Sequence, residues 1–226
     1  ATALSISGSN ATALIDLNNG DYVTIDGRPG GTGSAKELTV SNTNTSGTAV
    51  RFINDATNNV LKYLTIQGVS TSASTGVVVF STTTGTTGND NNTIDNCSLK
   101  DGSTTPTNII YSLGTTTSTA HNNSNNTISN NSISNFFSAS LASTGILIST
   151  GNTDWIISDN HLFQTSTRTS TAGSTHNGIS VTSGNNHLIS ANYIGGSETS
   201  AGGTAWTIGG GFANRFIGIN IAAGTT

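Results

Sequence analysis

Residues 91–99 read NNTIDNCSL, and residues 125–133 read NNTISNNSI. The two nonamers share Asn-Asn-Thr-Ile, a central Asn, a Ser and a closing aliphatic residue. Self-similarity at a fixed spacing marks a repeat architecture, in which each unit buries its apolar side only by stacking on its neighbours. Four more copies follow the same pattern: NNVLKYLTI (58–66), DWIISDNHL (154–162), NNHLISANY with Ile194 following (185–194), and ANRFIGINIA (213–222). DYVTIDG (21–27) is a partial copy. Aligned on the last apolar residue, the anchors are Ile25, Ile66, Leu99, Ile133, Leu162, Ile194 and Ala222.

A second family of short runs lies between these copies. It comprises AVRFI (49–53), GVVVF (76–80), NIIYS (108–112), GILIS (145–149), GISVT (178–182) and AWTIG (205–209). Ile146/Ile148 and Ile179/Val181 alternate with small or polar residues, the period-two pattern of a strand with one buried face. Connections such as STTTGTTGNDN (81–91) are rich in turn formers and absorb the variation in spacing. No useful helical periodicity is present. A leucine-rich repeat lacks its consensus here, a propeller needs about four strands per blade, and a sandwich does not require a recurring nonamer. The expected fold is all-β: a single-stranded parallel β-helix, or β-solenoid, of about seven coils with variable loops, forming one domain over 1–226.

In this register Leu64, Cys97, Asn131, Asn160, Asn192 and Asn220 form one column. They stand two residues before the inward aliphatic residue, so they point inward too. A lone buried Asn is costly, whereas stacked Asn side chains can bond one another, or turn backbone, at the 4.7–4.9 Å strand spacing. An internal asparagine ladder is therefore expected, with Asn as a simple turn former the plainer alternative. Cys97 becomes a small core filler. Leu61, Ile94, Ile128, Ile157, Ile189 and Ile217 are the expected aliphatic stack.

Composition limits the function classes. Thr, Ser, Asn and Gly make up 126 of the 226 residues, but the net charge is only −4 and β-branched residues recur in order, so the chain reads as folded. Seven scattered basic residues (Arg28, Lys36, Arg51, Lys62, Lys100, Arg168 and Arg215) are too few to neutralise a nucleic-acid backbone. No apolar run is long enough to span a membrane. The single cysteine makes no internal disulfide, and no basic, apolar leader is visible at the start.

YVTIDGRPGG (22–31), ELTVSNTNTSGTAVRFINDATNN (37–59) and NNTIDNCSLKDG resemble the right-handed, PbH1-like parallel β-helix regions of very large secreted surface proteins of the Bacteroidetes–Ignavibacteria type, many of them exported by type IX secretion. The resemblance covers nearly the whole chain. It implies an extracellular or cell-surface location, an adhesive or structural role, and neighbouring domains of the same larger chain as partners. The first and last units look like ordinary coils, as in an excised or processed middle segment.

Right-handed β-helices also include polysaccharide lyases and glycoside hydrolases, so a carbohydrate-active enzyme is the alternative reading. Hydrolysis of a glycosidic bond needs two carboxylates about 5–10 Å apart, yet in register Asp95 is followed by Ser129, Ser158 and Ser190. Asn152-Thr153-Asp154 matches one polygalacturonase element, but Asp-Asp, Gly-His-Gly and Arg-x-Lys are missing. Asp90, Asp95 and Asp101 beside Lys100 read as turn and surface residues. His121, His161, His176 and His187 lack zinc-ligand spacing. No catalytic residue, metal or cofactor is expected. Trp155, Trp206 and Tyr193, with Phe163 as a lesser candidate, are the candidate platform for a polysaccharide or cell-surface glycan. An ice-binding surface, suggested by TTT at 82–84 and 115–117, loses its array in later coils.

Overall fold

NNTIDNCSL folds as two short strands, Thr93–Asp95 and Ser98–Asp101, with a sharp corner before each. Asn91 (φ 57°) and Asn96 (φ 53°) make those corners in the left-handed conformation, as do Asn125 (φ 54°) and Asn130 (φ 55°) in the sister copy. Asn tolerates this region because its short amide bonds locally, where a β-branched residue would clash. Asn58, Asp154 and Asn186 repeat the first corner, and Tyr63, Asp159 and Ala191 the second, all at positive φ. In the doublets Asn58-Asn59, Asn91-Asn92, Asn125-Asn126 and Asn130-Asn131 the first Asn is thus a corner residue.

The computed structural model describes residues 3–223 as a parallel β-solenoid of about six turns. Each turn contributes a strand to three sheets. The first sheet stacks Leu4–Gly8, Leu38–Asn42, Leu64–Gly68, Ser98–Asp101, Ser132–Ser134, His161–Phe163 and Tyr193–Ile194. The second stacks Ala13–Asn18, Thr48–Ile53, Val78–Phe80, Asn108–Ser112, Ser143–Ile148, Thr175–Val181 and Arg215–Ile221. The third stacks six three-residue strands, from Thr24–Asp26 to Leu188–Ser190. Every neighbouring pair in these sheets is parallel, as expected when successive coils wind in one direction.

The interior is built from columns of like residues. Ile66, Leu99, Ile133 and Leu162 stack in the first sheet and Leu61, Ile94, Ile128 and Ile157 in the third, all fully buried. In the second sheet Phe52 and Phe80 stack with ring centroids 4.4 Å apart. The same column continues as Ser112, Ile148 and Val181.

Three register assignments made from sequence are corrected. Ile25 pairs with Leu61 in the third sheet, so it does not head the column of Ile66; Val40 and Ile6 do. RFIGINI belongs to the second sheet, where Ile217 pairs with Asn177 and Asn220 with Ser180. Ile217 and Asn220 therefore leave the aliphatic stack and the asparagine column. AWTIG is not a coil strand, since Ile208–Gly209 pairs with Arg168–Thr169 in a small side sheet. The cause is the long connection from Ile194 to Arg215, which displaces the last strand beyond the expected spacing.

If Asn125 is chosen for its backbone conformation, Asn125→Gly will change the urea midpoint little. Asn125→Val will destabilise the chain by about 1–2 kcal/mol, the penalty for a β-branched residue held in the left-handed region.

Candidate functional site

The most ordered polar feature of the molecule is internal. The Oδ1 of Asn131 accepts the backbone N–H of Cys97 at 2.8 Å, that of Asn160 accepts from Asn131 at 3.1 Å, and that of Asn192 accepts from Asn160 at 3.0 Å. Each Nδ2 reaches back to the same preceding coil. Asn131 donates to the Ile94 carbonyl (2.9 Å), Asn160 to Ile128 (2.8 Å) and Asn192 to Ile157 (2.8 Å). Asn131 and Asn160 also donate from Nδ2 to the next Asn oxygen, both at 3.0 Å. Burial of these amides is tolerable because oxygen and nitrogen are both paired. Leu64 and Cys97 continue the column as apolar rungs. Asn220 lies on the second sheet and donates to Ser180 Oγ at 3.1 Å.

Two more ladders lie outside the column read from sequence. In one, Asn59, Asn92 and Asn126 repeat the pattern: Asn92 Oδ1 accepts from Asn59 N–H at 3.0 Å, and Asn126 Oδ1 from Asn92 N–H at 2.9 Å. In the other, Asn89 Oδ1 accepts from Ala56 N–H and Asn123 Oδ1 from Asn89 N–H, both at 3.0 Å. For Asn59, Asn92 and Asn126 the signal is their place as second Asn of a doublet, because a residue following a left-handed corner points inward; Asn89 and Asn123 carry no such mark.

Cys97 is fully buried, and burial pushes its thiol up to about 12, so no thiolate forms near neutral pH. The aromatic candidates separate sharply. Trp155 is fully buried and offers no face to a ligand. Its indole N–H donates to the Asn123 carbonyl at 2.9 Å, and its ring meets Phe80 edge-on at 4.8 Å. Trp206 packs on Phe136 and Phe216, lining a cleft of about 270 Å³ with Ile208, Phe212 and Asn214. Tyr193 is 49% exposed and stacks on His161, centroids 4.9 Å apart and planes 8° from parallel. Ile156 and Leu188, partners in the third sheet, are exposed on the same two coils, across the corner from Tyr193. Phe163 follows in the same strand as His161 and is half-buried.

The carboxylates mostly reach one coil onward. Asp16 forms a two-pronged pair with Arg51 (2.9 and 2.6 Å), and Asp21 accepts from the Thr57 amide (2.9 Å). Asp55 accepts from the Thr86 amide (2.7 Å) and from the Thr83 hydroxyl. Asp90 takes the Ser124 amide (2.7 Å), Asp95 the Ser129 hydroxyl (2.8 Å), and Asp101 the Asn135 amide group (2.9 Å). Asp26, Lys62 and Asp95 share one outward column, so charges of opposite sign alternate along it. The hydrogen bonds of Arg28 hold Asp26 down at about 2. Burial pushes Asp95 up, but bonds from Asn130, Asn96 and Ser129 outweigh it and leave its pKa lowered. Among the described residues no cluster of three or more His, Cys, Asp or Glu could hold a metal ion, and no helix is long and apolar enough to cross a membrane.

Compared with known families, curated proteins and solved structures, the chain gave no match.

Removing one rung tests the ladder. Asn131→Ala strands the Cys97 N–H and the Ile94 carbonyl in the interior, and it will lower stability by about 2–3 kcal/mol in urea titrations. A second expectation concerns pH. His176 is buried, with Nδ1 2.7 Å from Ser143 Oγ and its ring stacked on Phe137, and burial lowers its pKa; His187 is lowered by burial as well. The unfolded chain takes up these protons near pH 6.5 and the native one only lower, so stability falls as pH drops below about 6.5. The urea midpoint will therefore fall between pH 7.5 and 5.0, and His176→Phe will fall less over the same interval.

Proposed function

We propose that this chain is a non-catalytic structural or adhesin-like segment of an extracellular or cell-surface protein. The carrying observation is the use made of its carboxylates. Asp16, Asp21, Asp55, Asp90, Asp95 and Asp101 each bind a group on the following coil. A hydrolytic or eliminating site needs carboxylates free to exchange protons with a substrate or hold its cation; here they fasten one turn of the solenoid to the next. Asn152 and Asp154, the polygalacturonase-like pair, are likewise occupied. The Asn152 amide donates to the Ser149 carbonyl at 2.9 Å, and the Asp154 carboxylate accepts from the Thr153 hydroxyl at 2.9 Å.

Polysaccharide is the ligand class for this scaffold. Tyr193, half exposed and stacked on His161, is the aromatic side chain available to contact a sugar ring. The resemblance of YVTIDGRPGG and its continuation to the PbH1-like regions of type IX-exported proteins supports a surface location, with neighbouring segments of a larger chain as structural partners.

A polysaccharide array read for both retention and released product is the test. Retention without product is expected, and Tyr193→Ala will weaken it by about tenfold, the effect of losing one aromatic contact. Turnover of any glycan would overturn the scaffold reading.

A further inference from the structure

The asparagine ladder has a direction. Each rung's Oδ1 accepts the backbone N–H of the coil before it, as Asn160 does for Asn131 (3.1 Å) and Asn192 for Asn160 (3.0 Å). Each Nδ2 likewise reaches back to a carbonyl of the preceding coil. A coil therefore satisfies its predecessor and depends on its successor. Asn192 is the last rung, and among the described residues its own backbone N–H has no acceptor. At the opposite end the column holds Leu4, Leu38 and Leu64, whose side chains offer no acceptor, and the Leu4 N–H bonds the Glu37 carbonyl instead.

The end that carries the open N–H also exposes the interior columns. Ile219 and Ile221 are 46% and 55% exposed, although their partners in the preceding coil, Ile179 and Val181, are buried. Val181, Ile189, Ile221 and Ala223 border a shallow cleft of about 420 Å³ over the interior. We infer that this end of the solenoid docks a further parallel β-coil, belonging to a neighbouring segment, that carries asparagine over Asn192 and aliphatic side chains over Ile194 and Ile219. The docked surface would continue the coil-to-coil interface that runs through the whole molecule, with the same strand spacing and the same columns.

A second copy is the natural competitor, and the ladder argues against it. Docked by its first coil, a copy would match two aliphatic columns, placing Ile6 over Ile194 and Ile15 over Ile219. It would also place Leu4 over the open N–H of Asn192, where the leucine side chain supplies no acceptor such as every asparagine rung receives. The inference shares with the scaffold reading the idea of a neighbouring segment, and it does not depend on glycan binding.

Amide exchange followed by NMR on the 226-residue chain tests the premise. Asn192 N–H should exchange at least about tenfold faster than Asn160 N–H, the factor expected for loss of one hydrogen bond. Equal protection would overturn the inference. The docking itself is tested by replacing residues 224–226 with a second copy of residues 184–223, since Ala222 follows the pairing of Val181 with Ile221. Two versions differ only at the copied ladder residue, Asn or Leu. The Asn version should slow Asn192 exchange by about tenfold relative to the Leu version, and equal protection in both would refute the stated chemistry. In sedimentation the unextended chain should remain monomeric; head-to-tail association would overturn the choice of occupant. A negative glycan array would leave all three readings unchanged, so failure of the two ideas is distinguishable.

Discussion

A buried side-chain amide bonding the backbone of the adjacent coil is the interaction on which this structure depends. The solenoid must carry its chain around tight corners, and a corner cannot keep the regular ladder of backbone bonds. The orphaned N–H and C=O groups would lie inside, out of reach of water, at a cost of about 1–3 kcal/mol each. Asparagine meets both with one planar group: Asn131 accepts from Cys97 N–H and donates to the Ile94 carbonyl. Three ladders, at Asn131–Asn160–Asn192, Asn59–Asn92–Asn126 and Asn89–Asn123, repeat this at successive corners. Stacking is then more than apolar burial, because the polar rungs fix axial register wherever they occur.

The same residue type serves two opposed purposes one position apart. Asn91 and Asn125 are exposed and chosen for a left-handed backbone, while Asn92 and Asn126 are buried and chosen for their side-chain bonds. This explains a composition that otherwise suggests disorder. The many polar residues are not all solvating a loose chain, since a large share are either corner formers or interior bonding groups. It also explains why Asp, Tyr and Ala can replace Asn at the corners, at Asp154, Tyr63 and Ala191, where only the backbone matters.

Much of the fold was legible because the pattern is local and repeated. Period-two runs and the returning nonamer define parallel strands without any long-range information, and the stack Leu61–Ile94–Ile128–Ile157 follows directly. Legibility failed where spacing broke. The long connection before Arg215 moved the last strand, so Asn220 and Ile217 were placed in the wrong sheet, and the short first-sheet strands at Leu4 and Leu38 were passed over. Trp155 was illegible for another reason. Its surroundings come from distant segments, the Phe80 ring it meets edge-on and the Asn123 carbonyl that takes its indole N–H. A surface aromatic and a buried one look alike when the contacts that decide between them are contributed from a distant part of the chain.

Charge follows the same logic as the amides. With so few ionisable residues, placement matters more than number. Lys62 sits between Asp26 and Asp95 in one outward column, 3.6 Å from the Asp26 carboxylate. Such exposed pairs contribute little to stability individually. Their value lies in register, because sliding one coil by a single strand position would turn the charged residues inward. Aliphatic columns alone tolerate a slip of two residues, from one inward position to the next. A column in which Asp, Lys and Asp alternate, beside a ladder whose oxygen must meet a particular N–H, does not. Specificity of winding in this solenoid therefore rests on its few charges and its buried amides, while the aliphatic interior supplies the driving force.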